Sequence, residues 1–92
     1  MLEKDIEDKV CRYARGKGML AYKFTSPSRA AVPDRLFITK LGVFFFIEFK
    51  RTGMKPTPAQ TREHEKINNS NAHVYVIDNV EDGKSLIDLL GL

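Results

Sequence analysis

The stretch from Val32 to Lys50 constrains the fold of this chain most strongly, because it contains two apolar runs separated by a short turn. The Leu41-Gly42 region lets the chain reverse, so we expect the two runs to pair as a hairpin. Side chains alternate between the two faces of a strand, so Glu48 and Lys50 point the same way. The hairpin then brings Asp34, at the start of the first strand, beside Glu48. The residues expected on the opposite face of the second strand are Val43, Phe45, Ile47 and Phe49.

Two carboxylates and an ammonium group at one end of a rigid sheet have a chemical use. The oxygens of Asp34 and Glu48 are hard ligands of the kind that Mg²⁺ prefers. Such a cation activates water and offsets the charge of a phosphate under attack, and Lys50 can orient that water or stabilise the developing negative charge. The alternative is an ordinary surface hairpin with a glutamate–lysine pair at its edge. A strongly apolar strand that ends on charge favours a functional site.

Length and composition predict a single domain over residues 1–92, since 92 residues leave no room for a second core. A hydrophobic content of 42% is typical of a folded globular chain. The net charge of +3 is compatible with a polyanionic partner. The single cysteine, Cys11, and the lack of a signal-peptide pattern indicate a cytoplasmic, intracellular setting. The longest apolar run, Leu41 to Ile47, is too short to span a membrane.

The rest of the chain predicts three helices and two further strands. Apolar residues at helical spacing indicate a helix over residues 2–15, and a Thr-Pro start indicates another that runs to about residue 68. Short strands are expected at Met19 to Phe24 and at Ala72 to Ile77, the second of them buried, and a closing helix at residues 80–90. The order αβββαβα predicts an α/β sandwich, in which helices flank both sides of a mixed sheet.

Two polar helix residues each carry more than one interpretation. Gln60 lies three residues after Thr57, the expected N-cap, so a capping box explains it structurally, and a place in the site is the other interpretation. Glu7 lies at the rim of the apolar face of the first helix, where it is either a solvated charge or a site residue. Glu3 and Asp8 compete with it for the second role.

Neither histidine is expected to take part in chemistry. His64 lies among charged residues on what reads as a solvated helix face, which argues against a general base. His73 has no partner at metal-ligand spacing.

The motif Pro33-Asp34, followed by Glu48-Phe49-Lys50, resembles the Pro-Asp…(Asp/Glu)-x-Lys signature of the restriction-endonuclease-like nuclease superfamily. The wider pattern is similar, over nearly the whole chain, to the virus-type replication-repair nuclease domain (VRR-NUC), found in phages and as a module of larger repair nucleases. The segments that carry this wider resemblance are Glu7, Ala21 to Phe24, Ser26-Pro27, Arg29, Val32 to Arg35, Glu48 to Lys50, Pro58, Gln60 and Val74 to Asp78.

The resemblance implies a restriction-endonuclease-like fold, a Mg²⁺ or Mn²⁺ cofactor and a set of site residues. Asp34 and Glu48 would bind the metal, with the backbone carbonyl of Phe49 as a further candidate ligand. The family places its first-helix glutamate facing the sheet, which selects Glu7 as a ligand of the metal or of a metal-bound water. Lys50 and Gln60 complete the catalytic set. The residues expected to contact DNA are Lys23, Ser26, Arg29, Arg35, Arg51 and Lys55.

The function expected from these features is metal-dependent cleavage of phosphodiester bonds in DNA, in a bacterial or phage-infected cell. The chain carries no recognition-helix motif or zinc finger, so structure-specific cutting is more plausible than sequence-specific cutting. The resemblance implies a homodimer that resolves branched DNA such as four-way (Holliday) junctions. Two alternatives stay open: a non-catalytic nucleic-acid-binding module, and a nuclease subunit that needs a larger partner.

Overall fold

The computed structural model describes residues 1–91, which form three helices and four strands. In chain order these are α1 (Glu3–Gly16), β1 (Leu20–Lys23), β2 (Arg35–Ile38), β3 (Phe44–Phe49), α2 (Pro58–Asn69), β4 (Val74–Ile77) and α3 (Val80–Leu90). The predicted order αβββαβα is confirmed. Within residues 1–91, no helix combines the length and the apolar character that crossing a membrane requires.

The four strands form one mixed sheet in the order β1-β2-β3-β4. The first three strands are antiparallel, and β4 runs parallel to β3. The predicted hairpin is the β2–β3 pair, in which Arg35 lies opposite Ile47. If this pairing is continued by one residue, Asp34 lies opposite Glu48, as the sequence predicted.

A side-chain cap closes the hairpin turn. Thr39 Oγ1 accepts hydrogen bonds from the main-chain N–H groups of Leu41 at 3.3 Å and Val43 at 3.1 Å. Gly42 adopts a φ of +82°, in the left-handed region that a residue without a Cβ reaches readily. The turn therefore fixes the register that carries the two carboxylates.

The hydrophobic core lies on the face of the sheet that the alternation predicted. Phe45, Ile47 and Phe49 are buried there, packed with Ile6 of α1 and Ile87 of α3. Helices α1 and α3 thus cover one face of the sheet. Glu48 points to the other face and contacts Gln60 and His64 of α2, so α2 lies on that side of the sheet. The expected mixed sheet with helices on both sides is confirmed.

The helices α1 and α3 approach each other closely at Gly83. A Cβ built at this position would collide with the side chain of Val10 and would lie 3.3 Å from Ile77. A glycine inside a helix ordinarily weakens it. Here the absence of a side chain lets α3 pack closely against α1 and the sheet.

The expectation of a buried final strand is wrong for part of β4. Ile77 is buried, but Val76 retains 41% of its accessible surface. The reason is the strand order, which places β4 at the edge of the sheet with β3 as its neighbour. The strand is also shorter than predicted and begins at Val74.

Candidate active site

Three carboxylates from three different elements converge at one end of the sheet. Glu3 lies in the first turn of α1, Asp34 immediately precedes β2, and Glu48 lies near the end of β3. One oxygen from each of these residues lies within 4.8 Å of the others. Glu3 is exposed, Asp34 is half-buried and Glu48 is 1% exposed. Three hard oxygen ligands this close together can hold a divalent cation.

A main-chain hydrogen bond holds Asp34 in this position. Its Oδ2 accepts from the N–H of Phe49 at 2.8 Å, and its carbonyl accepts from the N–H of Phe24 at 2.9 Å. The aspartate is therefore anchored to both neighbouring strands. The hairpin geometry predicted from the sequence brings Asp34 and Glu48 together as expected.

The buried Glu48 is surrounded by groups from β3 and α2. Its Oε2 accepts a hydrogen bond from Nε2 of Gln60 at 3.3 Å and lies 3.9 Å from Nζ of Lys50. Burial raises the pKa of Glu48 to about 8, the charge of Asp34 adds to the rise, and the Lys50 ammonium opposes it. The carboxyl group is therefore largely protonated at neutral pH until a cation compensates its charge.

Gln60 forms the capping box and also contacts the buried Glu48. Its Oε1 accepts from the N–H of Thr57 at 2.9 Å, and Thr57 Oγ1 accepts from the N–H of Gln60 at 3.2 Å, which together form a capping box. The other end of the same amide donates to Glu48. An amide side chain can do both, because its oxygen accepts while its nitrogen donates.

The expectation that His64 lies on a solvated face is wrong. His64 is 7% exposed, and its Nε2 lies 3.6 Å from Oε1 of Glu48. Burial lowers the pKa of His64, and the charge of Lys50 lowers it further. The signal that could have located it was its spacing, since a residue four positions after Gln60 shares the same helix face.

Glu7 faces the sheet, as the resemblance implied, and pairs there with two basic side chains. It is buried against the sheet, and its Oε2 accepts from Nε of Arg35 at 2.6 Å and from Nζ of Lys23 at 3.3 Å. Glu3, one helical turn earlier, is the α1 carboxylate grouped with Asp34. Both glutamates still line one cavity of about 480 Å³, which Asp34 also borders.

The residues predicted to contact DNA are distributed unevenly around these carboxylates. Lys23 and Arg51 border the same cavity as Glu3 and Asp34, and Lys55 is exposed. Ser26 and Arg29 line a neighbouring groove that also reaches Lys23 and Asp34.

Two of the predicted arginines already have carboxylate partners. Arg29 pairs through Nε with Glu63 at 3.0 Å, and its side chain is 49% exposed. Arg35 pairs with Glu7 and is only 17% exposed, so it is less open to a ligand than Arg29. Of the residues predicted to contact DNA, the exposed cations that border the cavity of Glu3 and Asp34 are Lys23, which also pairs with Glu7, and Arg51.

No protein-family model matches the chain. A curated protein of Acyrthosiphon pisum secondary endosymbiont phage 1, described as "Putative nuclease p44", is 43% identical over 76 residues, which cover 83% of this chain and 82% of that protein. A solved structure described as "VRR_NUC domain" superposes with a TM-score of 0.86 at 31% identity and covers 94% of each chain. Another, described as "VRR_NUC domain protein", has a TM-score of 0.73 at 15% identity, covers 96% of this chain and 86% of its own, and shows the fold alone.

Proposed function

The chain belongs to the VRR_NUC family of nuclease domains, and from this premise we propose that it is a divalent-metal-dependent endonuclease acting on branched DNA. The observation that carries the proposal is the group formed by Glu3, Asp34 and Glu48, whose oxygens lie within 4.8 Å of one another. A lysine lies beside this group, with Lys50 Nζ 3.9 Å from Glu48.

The residues present fit Mg²⁺ or Mn²⁺ as the cofactor. Asp34 and Glu48 would hold the cation, together with the backbone carbonyl of Phe49. Glu3 is the third carboxylate in the group with Asp34 and Glu48. Glu7, which lines the same cavity as Glu3 and Asp34, is the other candidate ligand from α1. Carboxylate and carbonyl oxygens are the ligands that these cations prefer. Burial raises the pKa of Glu48, and repulsion from the charge of Asp34 adds to the rise.

A bound divalent cation would supply Lewis-acid chemistry, since it acidifies water and offsets phosphate charge. The side chains nearby have separate tasks. Lys50, 15% exposed and beside Glu48, would orient the attacking water and stabilise the charge that develops on the phosphate. In the reaction, the water oxygen bonds to phosphorus, the bond to the leaving oxygen breaks, and a proton transfers to that oxygen. Gln60 would hold Glu48 in place through its amide N–H.

The cations around the cavity and the neighbouring groove would bind the DNA backbone. Contacts with phosphates supply affinity without reading the base sequence. The residues that would make these contacts are Lys23, Ser26, Arg29, Arg51 and Lys55. Arg35, paired with Glu7, would act mainly by holding that glutamate.

Branched DNA, and four-way junctions in particular, is the substrate that we propose. Symmetric nicks across such a junction require two active sites, which a two-fold homodimer would provide. The support for this step is the resemblance to the free-standing viral form of the domain.

The test is cleavage of labelled four-way junctions and matched linear duplexes in Mg²⁺, Mn²⁺ or EDTA, with Lys50→Ala as the variant. Lys40→Ala is the matched control, since Lys40 follows β2 at the opposite end of the sheet. We expect paired, metal-dependent nicks in the junction that Lys50→Ala abolishes and Lys40→Ala retains. Binding without cleavage in either metal would contradict the proposal and favour a non-catalytic binding module or an incomplete complex.

A further inference from the structure

Helix α2 presents two side chains, one turn apart, to the two oxygens of Glu48. Gln60 donates from Nε2 to Oε2 at 3.3 Å, while Nε2 of His64 lies 3.6 Å from Oε1. Both side chains reach Glu48 because residues four apart share a helix face. Helix α2 thus donates a hydrogen bond to one oxygen of the carboxylate and places a second nitrogen near the other oxygen.

The contact between His64 and Glu48 is incomplete. Among the described residues, Oε1 of Glu48 and Nε2 of His64 are buried side-chain atoms without a hydrogen-bond partner. Buried polar atoms are nearly always paired, so two such atoms facing each other need an explanation. Their separation exceeds a normal N–H···O hydrogen bond by about half an ångström, a gap that a small movement of the Glu48 carboxylate would close.

We propose that His64 is a positioning residue for the metal centre, which donates a hydrogen bond from Nε2 to Glu48 Oε1 when a divalent cation is bound. This inference rests on the proposed metal dependence. With Gln60 on one oxygen and His64 on the other, α2 fixes the plane of the Glu48 carboxylate and aims it toward Asp34. Hydrogen bonds of this kind, to a group that itself holds a metal, commonly change metal affinity by about 10–100-fold when removed.

The position of His64 excludes two simpler roles. Its side chain is buried, so it does not act as a solvated surface charge. Its Nε2 faces Glu48, and among the described residues the group that could hold a cation is Glu3, Asp34 and Glu48 without His64. A histidine that served only to fill space would be replaceable by an apolar side chain of similar size, and this is the difference that the experiment exploits.

The experiment measures Mn²⁺ affinity without DNA, from the loss of the free Mn²⁺ electron paramagnetic resonance signal. His64→Leu fills the space but has no donor, and His64→Gln retains a donor. His73→Gln, at an exposed histidine, is the matched control. We expect the Kd to rise about tenfold in His64→Leu, to stay nearer the wild-type value in His64→Gln, and to be unchanged in His73→Gln. Circular dichroism and the metal-free melting temperature show whether each variant is folded.

Equal Kd values for His64→Leu and the wild type would overturn the positioning role, as would a His64→Gln variant that binds as weakly as His64→Leu. If the wild type itself binds no Mn²⁺, the proposed metal centre is contradicted. This result differs from one in which the wild type binds Mn²⁺ and the His64 variants bind it equally well. If His64→Leu does not fold, His64→Asn replaces it, because the shorter amide cannot reach Oε1. We then expect Asn to bind Mn²⁺ more weakly than Gln, and equal affinity would overturn the proposal.

Discussion

The main-chain N–H of Phe49 donates a 2.8 Å hydrogen bond to Oδ2 of Asp34, which ties the residue before β2 to the last residue of β3. This contact holds Asp34 opposite the preceding residue on β3, the buried Glu48. The two carboxylates therefore approach each other because of backbone pairing and not through flexible side chains. Asp34 and Glu48 would therefore be largely in position before a cation binds between them.

Removal of the Asp34 charge should separate metal binding from stability. Asp34→Asn retains an oxygen that can accept from Phe49 but no longer repels Glu48. In EDTA we expect a melting temperature equal to or above that of the wild type. In millimolar Mg²⁺ the wild-type melting temperature should rise, because the cation binds only the folded state, and the variant should lose this rise. Differential scanning calorimetry in both buffers tests the prediction, which an equal Mg²⁺ shift in the two proteins would contradict.

The two glutamates of α1 should respond differently to loss of charge. Glu3→Gln should weaken Mn²⁺ binding, because Glu3 is grouped with Asp34, and should leave the metal-free stability nearly unchanged, because Glu3 is exposed. Glu7→Gln should lower the free energy of unfolding by about 1–3 kcal/mol, because Arg35 loses a partly buried charged partner. Urea unfolding and Mn²⁺ titration of both variants distinguish the two roles. A greater loss of Mn²⁺ affinity in Glu7→Gln than in Glu3→Gln would contradict this assignment and support Glu7, the ligand that the family resemblance implies.

In the metal-free protein, the contribution of Glu48 to stability should fall as the pH rises. Burial and the nearby Asp34 raise the pKa of Glu48 from 4.5 to about 8, so the folded state binds a proton that the unfolded state releases. This contribution to stability is fully present below about pH 4.5 and is lost as the pH rises through about 8. Lys50 lessens the effect, and His64 and Glu3 are the other titratable groups that face the carboxyl.

The measurement for this pH dependence is the free energy of unfolding in EDTA between pH 5 and 8, with Glu48→Gln as the control. The decrease should not exceed about 1.4 kcal/mol per pH unit for a single proton. The control should lack the component due to Glu48. Saturating Mg²⁺ should weaken the trend, because the cation replaces the proton. Identical pH profiles for the wild type and Glu48→Gln in EDTA would contradict the prediction.

Gly83 should resist replacement although it lies within a helix. Gly83→Ala gains up to about 1 kcal/mol in helix propensity, but the new methyl group would collide with the side chain of Val10. We expect a net loss of about 1–2 kcal/mol in the free energy of unfolding. The control is Gly16→Ala, at a position where a Cβ would meet nothing within 4 Å. A Gly83→Ala protein as stable as the control would show that α1 and α3 have room to separate.

The part of the site that the sequence predicts well is the part that strand geometry determines. Alternation along Phe45, Ile47 and Phe49 identifies the buried face, and the Gly42 turn fixes the register, so the proximity of Asp34 to Glu48 follows. These features depend on residues that are near one another in the chain, which makes them readable before the structure is known.

The part that the sequence misses depends on how helices are placed against the sheet. Helix α2 is largely polar, so no apolar stripe marks its inner face, and His64 is assigned to solvent by composition alone. Glu3 and Glu7 share one face of α1, and only the packed position of that helix decides which of them meets Asp34. The exposure of Val76 likewise follows from the strand order, which local pattern does not specify.

The measurement that tests the central claim most directly is anomalous diffraction from crystals of the protein soaked in Mn²⁺. The account predicts an anomalous peak at about 2.0–2.3 Å from carboxylate oxygens of both Asp34 and Glu48, a typical distance for divalent cations on oxygen ligands. A soaked Asp34→Asn crystal should lack this peak. A fully occupied Mn²⁺ site elsewhere, with none between Asp34 and Glu48, would contradict the assignment of these carboxylates as the metal centre.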